Sequence, residues 1–475
     1  LTTADTVDGG AGTDTLTLTG NTAVLSADFT NVKNIEAITV ANTTTNVAIT
    51  TADQLVAGAD VSLTLTASTL TTGKLTFDGS NETSNAFKIT TGAGAGDSIT
   101  GGPGNDTITF VAGTGLTSAD TVNGGTGTDT LALTGNTAVL ATNFDNVSNI
   151  ETITLANTTT NVAITTVEAL VANGATLTFN AGSLTTGGLT FNGSAETNGT
   201  FNITGGAGTD AFTFIAAGTG FSTAHTIDGG AGTDTVTLSG NADFTASSDF
   251  DNAKNIEAIT LSGRTTGTVT ITTKDTLVAA GATLTLTGVG SGALTFNGSA
   301  ETNGTLKITG GTGNDDITGG KGNDTFTFAA VSGLTKNDKV DGGTGTDTLV
   351  LNGNTAFTAA DDFDNVKNIE IITLANTNTN ITITTQNTLV ASGTTLILTA
   401  SSLGAANTLT FDGSAETDGA FNITSGGGAD TITGGSGNDT FNGGAGNNII
   451  SPGLGNDTIT GGAGNENFKF EAVTG

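Results

Sequence analysis

Along most of this chain apolar residues fall at every second position, in short runs that stop at glycine, asparagine or serine. Near the start these runs are Thr15-Leu16-Thr17-Leu18, Ile35 to Val40, Val47-Ala48-Ile49, Leu63-Thr64-Leu65, Leu75-Thr76-Phe77 and Phe87-Lys88-Ile89. A period of two places alternate side chains on opposite faces, so each run predicts a short strand with one face buried. Four segments read differently: Thr51 to Ala57 before Gly58, Thr166 to Asn173 before Gly174, Thr273 to Ala280 before Gly281, and Thr385 to Ser392 before Gly393. Each has a threonine cap, an apolar pair and a glycine stop, which predicts a turn or two of helix packed on the side of the fold.

The runs recur at long range. Val7-Asp8-Gly9-Gly10 returns at Val122-Asn123-Gly124-Gly125, Ile227-Asp228-Gly229-Gly230 and Val340-Asp341-Gly342-Gly343. Asn34-Ile35-Glu36 returns at 149–151, 255–257 and 368–370, and Phe77-Asp78-Gly79-Ser80 at 191–194, 296–299 and 411–414. The chain therefore divides into four units, 1–115, 116–220, 221–333 and 334–475. Leu1 aligns with Leu116, Phe221 and Leu334, and Gly475 with Gly115, Gly220 and Gly333, so the expectation is an excerpt of a longer array. Short strands in tandem units predict an all-β parallel β-solenoid, or β-roll, with short helical side-turns.

The units vary mostly at their ends, where nonapeptides of the form Gly-Gly-x-Gly-x-Asp-x-apolar-x accumulate. Examples are Gly101 to Ile108, Gly319 to Phe326 and Gly434 to Phe441, and the last unit carries five in tandem over 425–468. Glycine allows tight turns in which carbonyl oxygens converge. Aspartate adds the hard anionic oxygen that Ca²⁺ prefers, and the apolar residue two places later points into the core. Tandem copies at a strict spacing make this a calcium-binding signature.

These motifs resemble those of the RTX family, the hemolysin-type calcium-binding repeat proteins. The resemblance implies that each nonapeptide forms half a coil, with ions between loops one coil apart held by carbonyls and aspartate. Residues 434–441 then pair with 452–459, placing Asp439 and Asp457 at neighbouring ions. The implied ligands are Asp97, Asp106, Asp210, Asp315, Asp324, Asp430, Asp439 and Asp457, with Asp14, Asp129, Asp234 and Asp347 in the unit-opening loops. The pattern weakens where Asn448 and Glu466 replace the aspartate.

Gly101 to Gly124 and Gly319 to Gly342 are 23 residues apart, and Gly205 to Gly229 are 24. Each spacing is one coil plus a few residues, so the expectation is a small loop that bulges out while the coil closes and calcium joins one unit to the next. The intervening segments, with phrases such as Asp249-Phe250-Asp251-Asn252 leading to Asn255-Ile256-Glu257, resemble those of proteobacterial S-layer proteins and large RTX surface adhesins. Glu36, Glu151, Glu257 and Glu370, and Glu82, Glu196, Glu301 and Glu416, read as turn-capping carboxylates, with metal ligation as the alternative.

Composition narrows the function classes. Forty-four acidic residues against 12 basic ones leave a formal charge of −32, which repels nucleic acid and anionic membranes. No apolar run approaches the roughly 18 residues of a membrane span. The one histidine, His225, aligns with Asp5, Asp120 and Asp338 and reads as a surface residue with no catalytic partner, so no enzyme activity is expected. What the resemblance implies is a secreted, calcium-binding structural protein at a bacterial cell surface, exported by type I secretion. Its partners would be copies of itself or surface polysaccharide. The alternatives are a non-catalytic module of a secreted enzyme and an ice-binding or surface-binding adhesin segment.

Overall fold

The computed structural model describes residues 1–470 apart from 20–23, 42–43, 52–54, 57–60, 112–114, 136–137, 157–160, 217–219, 241–242, 245–247, 330–332, 353–361 and 376–378. Two compact units divide the chain, Leu1–Val236 and Thr237–Gly475. Each is an all-parallel β-solenoid. Within a unit successive strands alternate between opposite faces, and each strand pairs with the equivalent strand one coil later. In the first unit one face runs from Thr15–Leu18 through Thr107–Val111 to Thr226–Asp228. In the second, a face runs from Ala258–Ser262 through Thr325–Ala329 to Thr458–Thr460.

The alternation seen in the sequence becomes stacked columns of like side chains. Leu16, Ile38, Leu65, Ile89, Ile108, Leu131, Ile153, Phe179, Ile203 and Ile227 follow one another in register along one interior column. From Ile38 to Ile227 each of these is at most 1% exposed. Burial of side chains this size supplies about 1.5–3 kcal/mol each, which is how a thin coil with few aromatic residues holds together. Coil length changes do not disturb the columns. Thr107 pairs with Thr130, Asn202 with Thr226 and Thr325 with Thr348, so the 23- and 24-residue coils close in register as expected.

The helical side-turns are tighter than the sequence implies. Glu168–Leu170 forms a 3₁₀ helix, whereas the corresponding stretches at Leu277 and Leu389 are single turns closed by N–H bonds to the carbonyls of Lys274 and Gln386. The segment 51–57 lies partly outside the described residues. Neighbouring coils cause the difference: the Leu277 carbonyl accepts Ile256 N–H (2.8 Å), and Gly281 N–H donates to the Asn303 carbonyl (2.9 Å). Those two groups would bond each other in an α-helix, so bonding between coils replaces helix growth. The glycine stops do form, with φ of 74° at Gly174, 77° at Gly281 and 75° at Gly393. Two further 3₁₀ helices, Ser26–Phe29 and Ala141–Phe144, bury Phe29 and Phe144.

Candidate metal sites

Twelve aspartates were expected to hold metal, and ten are buried: Asp97, Asp106, Asp129, Asp210, Asp234, Asp315, Asp324, Asp347, Asp430 and Asp439. Asp14 and Asp457 are partly exposed. The strands place these carboxylates in ladders that run from coil to coil. Phe87 N–H donates to Asp106 Oδ1 (2.7 Å), and Asp106 N–H donates in turn to Asp129 Oδ1 (2.8 Å) across the 23-residue junction. The second unit repeats this with Leu306, Asp324 and Asp347 (2.8 and 2.7 Å), and Phe421, Asp439 and Asp457 (2.8 and 2.9 Å). Asp439 and Asp457 thus meet on paired coils, as the family resemblance implies.

The other carboxylate oxygen faces the glycine turn, where the backbone takes two forms. In the first, the second glycine donates to Oδ2 of its own aspartate: Gly102 to Asp106 (2.8 Å), Gly206 to Asp210 (2.7 Å), Gly311 to Asp315 (2.9 Å) and Gly320 to Asp324 (2.7 Å). In the unit-opening loops the equivalent glycine has positive φ, 88° at Gly10, 108° at Gly125 and 96° at Gly343. Its N–H turns outward to Oδ1 of Asp8, Asn123 or Asp341 (3.2, 3.1 and 3.2 Å). Oδ2 of Asp14, Asp129 and Asp347 is then buried with no hydrogen-bond partner.

Unpaired buried carboxylate oxygens are expensive. Burial raises the carboxyl groups of Asp106 and Asp315 to about 6 and those of Asp97 and Asp347 to about 7. Bonds from backbone N–H groups pull against this, while neighbouring carboxylates reinforce it: Asp120 at Asp97, Asp129 at Asp106, Asp338 at Asp315, and Asp324, Glu370 and Asp341 at Asp347. Asp129, Asp210, Asp324, Asp430 and Asp439 are raised for the same first reason.

These surroundings fit a hard divalent cation. A β-carbon added at Gly319 would meet the Gly342 carbonyl oxygen and, at 2.6 Å, Asp324 Oδ2; at Gly434 it would meet the Pro452 carbonyl and, at 2.5 Å, Asp439 Oδ2. Carbonyl and carboxylate oxygens from successive coils therefore converge on a space that only glycine leaves open. Among the described residues no group of three or more His, Cys, Asp and Glu side chains assembles. A donor set rich in carbonyls with single carboxylates suits Ca²⁺ and not a softer metal. A calcium ion held by these oxygens would neutralise carboxylates that burial otherwise forces toward the protonated form.

Asn448 departs from this pattern. Its Oδ1 accepts Asp430 N–H (2.9 Å), which keeps the ladder, but its Nδ2 donates to the Gly443 carbonyl (2.7 Å). An N–H group stands where the other loops present oxygen, so this loop does not suit a cation. Glu466 continues the ladder by accepting Asn448 N–H (2.8 Å).

His225 is corrected by the structure. It is 2% exposed, accepts Phe201 N–H at Nδ1 (3.1 Å), and packs with Phe214 and Phe221 at ring-centre distances of 5.4 and 5.9 Å. It is a buried cap and not a surface residue. Its alignment partners Asp120 and Asp338, not singled out as site residues, cap the ladder too: Asp120 Oδ1 accepts Asp97 N–H and Asp338 Oδ1 accepts Asp315 N–H, both at 2.6 Å. The recurrence of Thr-x-x-Asp at 117–120 and 335–338 was their signal, since each threonine N–H bonds the same carboxylate. Glu196, Glu301 and Glu416 cap their own turns, accepting Gly199, Gly304 and Gly419 N–H at 2.7, 2.8 and 2.9 Å.

Comparison with protein families agrees with the loop geometry. The family described as RTX calcium-binding nonapeptide repeat (4 copies) matches residues 2–20, 91–131, 226–244, 307–330, 331–354, 422–450 and 453–468. The chain carries RTX repeats. No curated protein matches it. The RTX segments contain all twelve aspartates except Asp210, which sits in a loop with the same bonds as Asp315.

Proposed function

We propose that this calcium-binding RTX solenoid is a secreted structural scaffold at a bacterial cell surface, a surface layer, filament or adhesin stalk, without catalytic activity of its own. The observation that carries the reading is the buried carboxylate ladder. A chain of net charge −32 that folds by stacking acidic loops is opposed by its own electrostatics until cations enter. Extracellular calcium modules work at roughly 10⁻⁴ to 10⁻³ M. A chain with sites in that range stays poorly folded in the cytosol, which suits type I export, and folds outside.

Assembly with copies of itself or attachment to surface polysaccharide completes the reading. In-register outward threonines, Thr17, Thr39, Thr66, Thr90 and Thr109, form one regular column, the observation that favours an ice-binding alternative. The neighbouring column contains Lys88 between Thr64 and Thr107, which breaks a flat threonine lattice and favours the scaffold. Electron microscopy of the purified protein with calcium tests the reading: sheets or filaments are expected, and isolated unassembled particles that bind no surface polysaccharide would overturn it. Thermal hysteresis would instead select the ice-binding alternative.

A further inference from the structure

We propose that the Asn-Ile-Glu turn following a unit-opening loop is a third rung of the calcium track, so that Asn149 and Glu151 close a calcium site with Asp129. Asn368 and Glu370 would do so with Asp347, and Asn34 and Glu36 with Asp14. The inference rests on the calcium reading of the nonapeptides and extends it to residues that lie outside every matched RTX segment.

The Asn-Ile-Glu turn and the glycine loop are equivalent in geometry. Between two glycine loops, Asp106 N–H donates to Asp129 Oδ1, and the Gly124 carbonyl lies with Asp106 Oδ2 around the space left by Gly101. One coil further on, Asp129 N–H donates to Glu151 Oε2 (2.7 Å), and the Asn149 carbonyl lies with Asp129 Oδ2 around the space left by Gly124. Asn-Ile-Glu thus presents a carbonyl and a carboxylate where a glycine loop presents them. The other copies match: Asp347 N–H donates to Glu370 Oε2 (2.7 Å) and Asp14 N–H to Glu36 Oε2 (2.8 Å), with the Asn368 and Asn34 carbonyls against Gly342 and Gly9.

Two further observations separate a ligand site from a structural cap. Asp129 and Asp347 are 1% exposed, yet their Oδ2 atoms have no hydrogen-bond partner, and each points at the space shared with the asparagine carbonyl. A cap alone would leave that oxygen unexplained. The asparagines adopt the left-handed conformation usually left to glycine, with φ of 53° at Asn34, 52° at Asn149 and 53° at Asn368. Nδ2 of Asn149 and Asn368 latches this turn to Asn123 and Asp341 Oδ1, each at 2.7 Å. That strained turn is what aims the carbonyl at the glycine.

The test is to count bound calcium by native mass spectrometry and isothermal titration in wild type, Glu151→Gln, Glu370→Gln and the double variant. Glutamine keeps the oxygen that accepts the aspartate N–H and removes the charge, so a purely capping role leaves ion count and affinity unchanged and overturns the proposal. Loss of one ion per substitution, or at least a tenfold weaker affinity for it, is expected from removing a charged ligand. Glu36→Gln reads the same property at Asp14, so misfolding of one variant leaves two independent measurements. A wild-type chain that binds no calcium would sink the proposed function as well, whereas normal wild-type binding with unchanged variants sinks this inference alone.

Discussion

Removing calcium turns the carboxylate ladder into a pH-sensitive defect. The carboxyl groups of Asp106 and Asp315 stand at about 6 and those of Asp97 and Asp347 at about 7, against 3.8 for an ordinary aspartate. A folded-state value above the unfolded one means that the folded chain binds more protons. Without metal, stability is then greatest at low pH and falls as pH rises from the unfolded value through the folded one. At 1.36 kcal/mol per tenfold change in proton affinity, the penalty at alkaline pH is about 3 kcal/mol for each of the first pair and about 4 for each of the second. That is about 7 kcal/mol in each compact unit, comparable with the whole net stability of a domain. Far-ultraviolet circular dichroism in excess chelator, titrated from about pH 8 to about pH 5, should show β-structure growing as protons replace the missing cation. Saturating calcium should hold the signal high across that window, weakening only where protons begin to compete. A chelated chain whose β signal is full at pH 8, or declines on mild acidification, would refute the reasoning.

Point substitutions probe the ladder locally. Asn448→Asp replaces the amide that donates to the Gly443 carbonyl with a second oxygen, so it should add one bound calcium and raise the melting temperature only when calcium is present. Glu416→Ala removes the acceptor shared by Thr417, Asp418 and Gly419 N–H, and equilibrium unfolding should show a loss of about 2–4 kcal/mol, largely recovered in Glu416→Gln. Gly342→Ala would drive a methyl group into the Asn368 carbonyl and to 2.7 Å from Asp347 Oδ2, costing about 2–4 kcal/mol by calorimetry in calcium. Gly404→Ala, with no atom within 4 Å, should be close to neutral.

The strands and the ladder aspartates were legible because both obey strict local periods. Alternation in Leu63–Thr66 or Phe87–Thr90 reports the buried face directly, and parallel stacking turns a sequence repeat into a spatial one. The side-turns were misread because a threonine, an apolar pair and a glycine describe a helix only if the backbone bonds to itself; here Leu277 and Gly281 bond to other coils. His225 was misread because its burial depends on Phe214 and Phe221, which local sequence does not bring together. The orientation of the glycine peptide is partly legible in retrospect. Every loop with Asp or Asn just before the glycine pair has the second glycine at positive φ, as at Gly10, Gly125, Gly230, Gly343 and Gly444. That side chain accepts the outward N–H. Loops preceded by Thr100, Thr204 or Thr318 lack the acceptor and turn the N–H inward. Gly453 and Gly462 are also positive after Ser451 and Thr460, so the rule runs in one direction only.

The two peptide orientations explain why the coils depend on one another. A trans peptide points its N–H and its carbonyl in opposite directions. A glycine that turns N–H outward therefore turns the preceding carbonyl the other way: its own aspartate loses a donor, and that carbonyl lies with the aspartate of the preceding coil, as Gly124 O does with Asp106 Oδ2 and Gly342 O with Asp324 Oδ2. From Asp97 onward each ladder aspartate also takes the N–H of a coil that precedes it, as Asp106 does from Phe87 and Asp347 from Asp324. Such a loop does not complete its own oxygen cluster, which needs the carbonyl of the next coil, as Gly101 needs Gly124 and Gly319 needs Gly342. Such a chain behaves as a one-dimensional array in which neighbouring interfaces carry the stability. Asn448 puts an amide N–H where a cation would need an oxygen, yet it leaves Asp430 N–H capped, so the coil continues through a loop unsuited to a metal.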